Sequence, residues 1–298
     1  MPRCRRRRCS VKVKNFYIIA NDAKDTGLKV TGELVRYIEK NGGSCMGVER
    51  SKRFFAGEQK VTYGKAPVGT ECVLVLGGDG TLIQAARGLS GEGLPFLGIN
   101  FGNLGFLTGV ERGGIFEAID TLMSGSFTLE ERMMLEGRIF RDGQLVGEDI
   151  ALNDIVFARA GSLRAVDYRL YLNGEFLNNY SADGMIVATP TGSTAYNLSA
   201  GGPIVSPVAK LIILTPICPH TLNSRSIILP ECDTIEVEVC EDRNGFNEER
   251  QLSFDGGRVF SLHERDRISI KTASQSVKII RLNRISFIEQ LRNKMGDK

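Results

Sequence analysis

Only two histidines, His220 and His263, occur among 298 residues, and no two cysteines form a Cys-x-x-Cys pair. That argues against a Cys/His zinc site. The seven cysteines (Cys4, Cys9, Cys45, Cys72, Cys218, Cys232, Cys240) are an odd set, several within apolar runs. They read as small core residues in a reducing cytoplasm. No apolar run approaches the roughly 18–20 residues of a membrane span. The longest, around Lys210 to Pro219, is broken by Pro216. The first residues lack the apolar centre of a signal peptide. There is no Walker A loop, no G-x-G-x-x-G fingerprint, no internal repeat and no low-complexity linker. A soluble cytoplasmic protein of one large or two ordinary domains is expected.

The net charge is +3, but "MPRCRRRRCSVKVK" holds five Arg and two Lys, so residues 15–298 carry −4. The body is mildly acidic. Residues 1–14 read as a disordered basic tail, with RNA binding the weaker alternative. Nucleic acid and membrane are not expected partners.

The first half alternates strand and helix. "FYIIA" (16–20) reads as a buried strand, and "TGLKVTGELVRYIEKNGG" as a helix stopped by Gly42–Gly43. "ERSKRFFAGEQKVTYGKAP" reads as a mobile loop. Strand "CVLVL", a glycine loop, helix "TLIQAARGLS", strand "PFLGI" and helix "IFEAIDTLMSG" follow. This is the rhythm of a parallel sheet. After Phe127 the pattern becomes short strands with Asp-Gly and Asn-Gly turns, as in "RDGQ" and "LNGE". The expected architecture is an α/β N-terminal domain (15–128) with a parallel sheet and an all-β C-terminal domain (129–283). "SFIEQLRNKMGDK" is an amphipathic helix in need of a surface and is grouped, as 284–298, with the first domain.

Chemistry concentrates in a few stretches. Gly77, Gly78, Asp79, Gly80 and Thr81 lie between a strand and a helix, where α/β sheets bind ligands. Three glycines exceed what a helix cap needs, although no Lys follows to reach a phosphate. Asn153 and Asp154 alone read as turn chemistry. "YSADGMIVATPTGSTAYNLSAGGPIVSP" (180–207) packs small and hydroxyl residues around Tyr196 and reads as a binding wall with a short helix. His220 reads as a structural hydrogen-bonder, and "SFDGGRVF" (253–260) as a hairpin turn.

Together "GGDGT" (77–81), "NFGNLGFLT" (100–108), "LNDIVFAR" (152–159), "SADGMIVATPTGSTAYNLSAGGPIVSP" (181–207), "LTPICPHTL" (214–222) and "FDG" (254–256) resemble the bacterial NAD kinase family. The resemblance spans most of the chain, although "GGDGT" is shared with lipid kinases. It implies an active site between an α/β and a β-rich domain, with the final helix packed on the first. It implies phosphorylation of the 2′-hydroxyl of the adenosine ribose of NAD, with ATP or polyphosphate as donor, a divalent metal (Mg or Mn), and assembly as a homodimer or homotetramer.

By the same resemblance Asp79 is the base or orienting group, and Gly77, Gly78, Gly80 and Thr81 shape the phosphate-facing loop. Asn153 and Asp154 match a pair contacting the adenine end of NAD, and Asp183 an aspartate near the nicotinamide end. Thr194, Ala195, Tyr196, Asn197, Leu198 and Ser199 match the adenine and ribose wall, and Arg164 a nucleotide contact. Gly257 stands where many relatives have Gln, so no Gln contact is transferred, and Ser181 where some have a basic residue. A lipid kinase with the same loop, and a dinucleotide sensor without catalysis, are the competing readings. A lipid kinase would not need the 190–203 wall, and the intact Asp79 argues against a sensor.

Overall fold

The computed structural model describes residues 7–9, 11–51, 63–102, 105–161, 164–221, 224–241, 249–282 and 286–296. Residues 1–6 of the basic segment and 52–62 of the charged loop lie outside them. The chain divides into two compact units, passing from one to the other at Arg132/Met133 and Gln275/Ser276. Both boundaries fall inside long strands, Phe127–Arg141 and Arg267–Arg281.

The first unit is built on four parallel strands in the order Ser44–Arg50, Asn15–Ala20, Cys72–Gly77, Pro95–Asn100. Cys72–Gly77 is buried along its whole length, which only a sheet covered on both faces provides. The helices are α1 (Lys29–Lys40), α2 (Asp79–Gly88) and α3 (Ile115–Ser124). Val30, Leu34 and Ile38 fall at every fourth position of α1 and join Phe16, Ile18, Leu74, Leu97 and Ile119 in one core. The buried Asp25 carboxylate fixes the start of α1 by accepting from the N–H groups of Val30 (3.0 Å) and Thr31 (2.8 Å). The edge strand Ser44–Arg50 was not expected from sequence. It is half-buried and has no apolar run to announce it.

In the basic segment read as a disordered tail, Arg7–Cys9 runs antiparallel to Phe127–Leu129. The last helix, numbered α5 (Phe287–Met295), belongs to the same unit. Ser286 caps it by accepting from the Glu289 N–H at 3.1 Å. Phe287 lies 6.5 Å from the Phe106 ring, and Lys294 Nζ stands 4.9 Å over that ring. The surface that the final helix lacks in sequence is therefore the loop carrying Phe106.

The second unit is antiparallel. One sheet runs Ile227–Pro230, Leu211–Ile217, Gly184–Ala188, Asp154–Arg159, Arg250–Phe254, Arg258–Leu262. Other strands of the unit include Val166–Leu172, paired with both Glu175–Ala182 and Ile235–Val239. The Asp-Gly and Asn-Gly turns adopt the positive φ that two-residue hairpins require, with Asp142 at 50° and Asn173 at 53°. Phe157, Tyr168, Leu170, Val187, Leu252 and Phe254 form the core. The short helix expected in the 190s is α4 (Tyr196–Ser199). Among the described residues, no helix is long and apolar enough to cross a membrane.

Candidate active site

Neighbouring parallel strands end at one edge, so the residues just after them meet there. Three such ends come together in the first unit: Asn21–Asp25 after Ala20, the glycine loop after Leu76, and residues 101–102 and 105–108 after Asn100. Asn21 Nδ2 donates to Thr81 Oγ1 at 3.1 Å, and the Phe101 N–H donates to the Gly77 carbonyl at 2.9 Å.

Asp79 opens α2, and its carboxylate reaches the third of these ends. Oδ2 accepts from the Phe106 N–H (2.7 Å) and the Leu107 N–H (3.3 Å). Oδ1 accepts from Thr108 N–H and Oγ1–H, both at 3.0 Å. Behind this contact, Arg281 donates to the carbonyls of Phe106 (3.2 Å) and Leu107 (3.3 Å). One loop segment is thus gripped by its N–H groups from Asp79 and by its carbonyls from Arg281.

Arg281 also pairs with Glu130 at 3.0 Å, and Arg132 pairs with the same carboxylate at 2.6 Å. Burial alone would raise the Glu130 carboxyl. The two guanidiniums override it and hold the group below the usual carboxylate range.

Lys24 is the functional candidate that sequence reading missed. A first side-chain carbon at Gly78 would lie 2.8 Å from its Nζ, and one at Gly102 would lie 3.7 Å away. The ammonium lies against the bare backbone of the glycine loop, where no lysine follows in sequence. Its signal was topological: it stands in the turn after the strand adjacent to Cys72–Gly77.

The second unit, taken by itself, carries a polar wall. Asp154 pairs with Ala188 across the sheet, and Ala158 pairs with Gly184. Asn153 and Asp154 therefore stand at one end of this strand pair, beside Thr189–Ser199, and Asp183 stands at the other. Four residues of strand rise separate the ends by about 13 Å. Asp183 is held by Arg159, whose Nε donates at 2.8 Å and Nη2 at 3.4 Å. His220 is tied by its main-chain N–H to the Ser181 carbonyl at 2.9 Å.

Tyr196 is 47% exposed and so accessible to a ligand. Leu198 and Ser199 are also exposed, Thr194 and Ala195 are half-buried, and Arg164 is exposed. Asn197 is different. Its side chain is fully buried, donates to the carbonyls of Ser193 and Pro203 (both 3.1 Å) and accepts from Thr215 Oγ1 at 2.7 Å. The resemblance placed Asn197 in the ligand wall. The structure turns its side chain inward, where it ties α4 to the strand behind it.

Asp255, read from sequence as part of a hairpin turn, also organises the wall. Its carboxylate accepts from the N–H groups of Leu152, Asn153 and Asp154 at 2.9, 2.7 and 3.1 Å. Asp154 is 5% exposed beside it. Burial first, and the Asp255 charge second, push the Asp154 carboxyl up to about 7.

The sign of the consequence for stability follows. The folded chain keeps a proton on Asp154 that the unfolded chain releases between about pH 4 and about 7, so this group lowers stability as pH rises through that window. Asp154→Asn carries no such charge. Its melting temperature, relative to wild type, is expected to rise between about pH 5 and about pH 8 in scanning calorimetry. A pH-independent difference would refute the assignment.

Residues 16–127 match the family model of the ATP-NAD kinase N-terminal domain, and residues 152–282 match that of the ATP-NAD kinase C-terminal domain. An NAD kinase of Lachnospira eligens is 42% identical over 293 residues, covering 95% of this chain and 100% of that protein. An NAD kinase of Agathobacter rectalis is 44% identical over 285 residues, covering 96% and 99%.

The fold is similar to that of yeast NADH kinase complexed with NADH, with TM-score 0.82, 23% identity, and coverage of 96% of this chain and 88% of that one. It is also similar to an NAD kinase from Archaeoglobus fulgidus in complex with ATP, with TM-score 0.68, 22% identity, and coverage of 95% and 97%. With both halves of the chain matched and close relatives aligned along nearly its whole length, this chain belongs to the ATP-NAD kinase family.

Proposed function

We propose that this chain transfers the terminal phosphoryl group of ATP to the 2′-hydroxyl of the adenosine ribose of NAD, giving NADP and ADP. The observation that carries this reading is the placement of Asp79. A carboxylate stands at the ligand-binding edge of a parallel sheet, beside glycines that admit phosphate, and is oriented by four hydrogen bonds. Phosphoryl transfer asks a protein mainly for positioning and charge stabilisation. Asp79 holds the hydroxyl in line and takes its proton as the new O–P bond forms and the bond to ADP breaks.

A carboxylate has about four acceptor positions, and all are in use. The ribose hydroxyl therefore displaces the weakest donor, the Leu107 N–H at 3.3 Å. The polar wall receives the dinucleotide, with Asn153, Asp154 and the 194–199 segment on the adenosine end and Asp183 toward the nicotinamide end. Homo-oligomeric assembly, a cytoplasmic location and polyphosphate as an alternative donor belong to the same proposal and rest on the family resemblance.

Among the described residues, no group of three or more His, Cys, Asp or Glu is placed to hold a metal ion. These residues do not form a resident metal cage. A magnesium or manganese ion would enter on the donor phosphates with water as further ligands, the habit of such ions.

Lys24 supplies positive charge to the donor side of the loop. Lys24→Gln is expected to raise the KM for ATP by roughly tenfold, the worth of one charge-assisted hydrogen bond, with the KM for NAD within about twofold. Lys24→Arg should keep most of the affinity. A Gln variant with unchanged ATP kinetics removes Lys24 from the donor site. The function as a whole is tested by NADP formation from NAD with ATP, other nucleotides and polyphosphate as donors.

A further inference from the structure

Asp255 sits at φ +51°, a left-handed conformation that few residues other than Gly, Asn and Asp adopt readily. From that position its carboxylate gathers three consecutive main-chain N–H groups, those of residues 152–154. The opposite side of the same corner is held by Thr189. Its Oγ1 donates to the Leu152 carbonyl at 2.6 Å, and its N–H donates to the Asn153 carbonyl at 2.8 Å. The N–H and carbonyl groups of Leu152 and Asn153 are thus both engaged, and the hydrogen bonds hold the backbone of the corner. Strand pairing on this side begins only at Asp154, so it cannot fix the corner by itself.

The placement that fixes the corner also brings a second carboxylate to Asp154. Of the charged groups on the neighbouring strands, Arg258, in register with Phe254, turns to the Glu148 carbonyl (3.1 Å) and the Asp149 carboxylate (3.8 Å). Gly184–Ala188 and residues 189–192 contain no ionisable side chain, and Arg250 lies at the far end of its strand, in register with Arg159.

We infer that Asp255 is a positioning residue for the dinucleotide, holding Asn153 and Asp154 in the conformation that receives the adenosine end while its charge acts on Asp154. The inference rests on the proposed NAD-phosphorylating function. A ribose hydroxyl donates to a carboxylate, so the ionised form of Asp154 is the binding form, and kcat/KM for NAD rises with pH through its ionisation. Burial remains the larger cause of the high Asp154 value. Removing the Asp255 charge therefore moves the ionisation only part of the way back.

The test is kcat and KM for NAD of the full chain between about pH 5.5 and about pH 9, for Asp255→Asn beside Thr189→Ala. Asp255→Asn is expected to raise the KM for NAD by about tenfold with kcat within about threefold, and to move the near-neutral ionisation at least about half a unit toward acid. Thr189→Ala loosens the same corner without changing a charge, so it should raise KM and leave the ionisation in place. An Asp255→Asn enzyme with unchanged KM, or with its ionisation unmoved, overturns the inference.

Should Asp255→Asn not fold, Asp154→Asn carries the test. Its profile should lose the near-neutral ionisation, and persistence of that ionisation overturns the inference. Failure of the underlying function has a separate signature: the wild-type chain would form no NADP at any pH.

Discussion

Asparagine at position 79 is expected to lower turnover by roughly 10²–10⁴-fold, the usual worth of a positioned proton acceptor. The fold should survive, because the core of the first unit is built from the sheet and the buried faces of α1 and α3, not from Asp79. The local geometry should suffer in one specific place. An amide oxygen at Oδ1 can still accept from Thr108, but the amide nitrogen would face the Phe106 N–H, now 2.7 Å from an oxygen. Two donors would oppose each other, and the Phe106 segment should loosen. Because the lost interaction is made in the transition state, kcat and kcat/KM should fall together, with NAD affinity within about fivefold of wild type. Steady-state NADP formation together with calorimetric NAD titration checks both halves. Near-normal turnover would remove Asp79 from the chemistry.

Gly105→Ala should be as severe although Gly105 itself contributes no catalytic group. A first side-chain carbon at Gly105 would lie 1.8 Å from Asp79 Oδ1 and 2.1 Å from its Cγ, far inside the 3.0 Å that real contacts respect. Either the carboxylate or the loop must move by about an ångström, and a misplacement of that size can cost about 10²-fold in rate. The expected stability loss is ordinary overpacking, about 1–3 kcal/mol. Gly80 is the internal comparison. It is the second residue of α2, with nothing within 4 Å of an added carbon. Alanine there should leave the melting temperature unchanged, so any loss of turnover at that position reports a ligand occupying the space. Gly105→Ala with wild-type kinetics would mean that the Asp79–loop contact plays no part in activity.

The sheet rhythm of the first half and the hairpins of the second were legible because they depend on local pattern. "CVLVL" is uniformly apolar and buried on both faces, and Asp142-Gly143 and Asn173-Gly174 adopt the positive φ that their turn type demands. The strand Ser44–Arg50 was illegible because an edge strand needs no apolar alternation. The same limit hid the partners of the site residues. Asp79 is bonded 27 to 29 residues along the chain, and Asp255 is bonded 101 to 103 residues back. Nothing local distinguishes an Asp-Gly turn that only reverses the chain from one whose carboxylate gathers a distant loop. Asn197 shows the converse. It stands in a motif stretch, yet its side chain is spent on the scaffold.

Formation of NADP from NAD and ATP by the purified wild-type chain, with the position of the new phosphate read by phosphorus NMR and with Asp79→Asn beside it, tests the central claim most directly. Phosphate on the adenosine 2′-oxygen, formed by wild type and nearly abolished in the variant, is the expected result. NAD binding without NADP formation from ATP, other nucleotides or polyphosphate would contradict it.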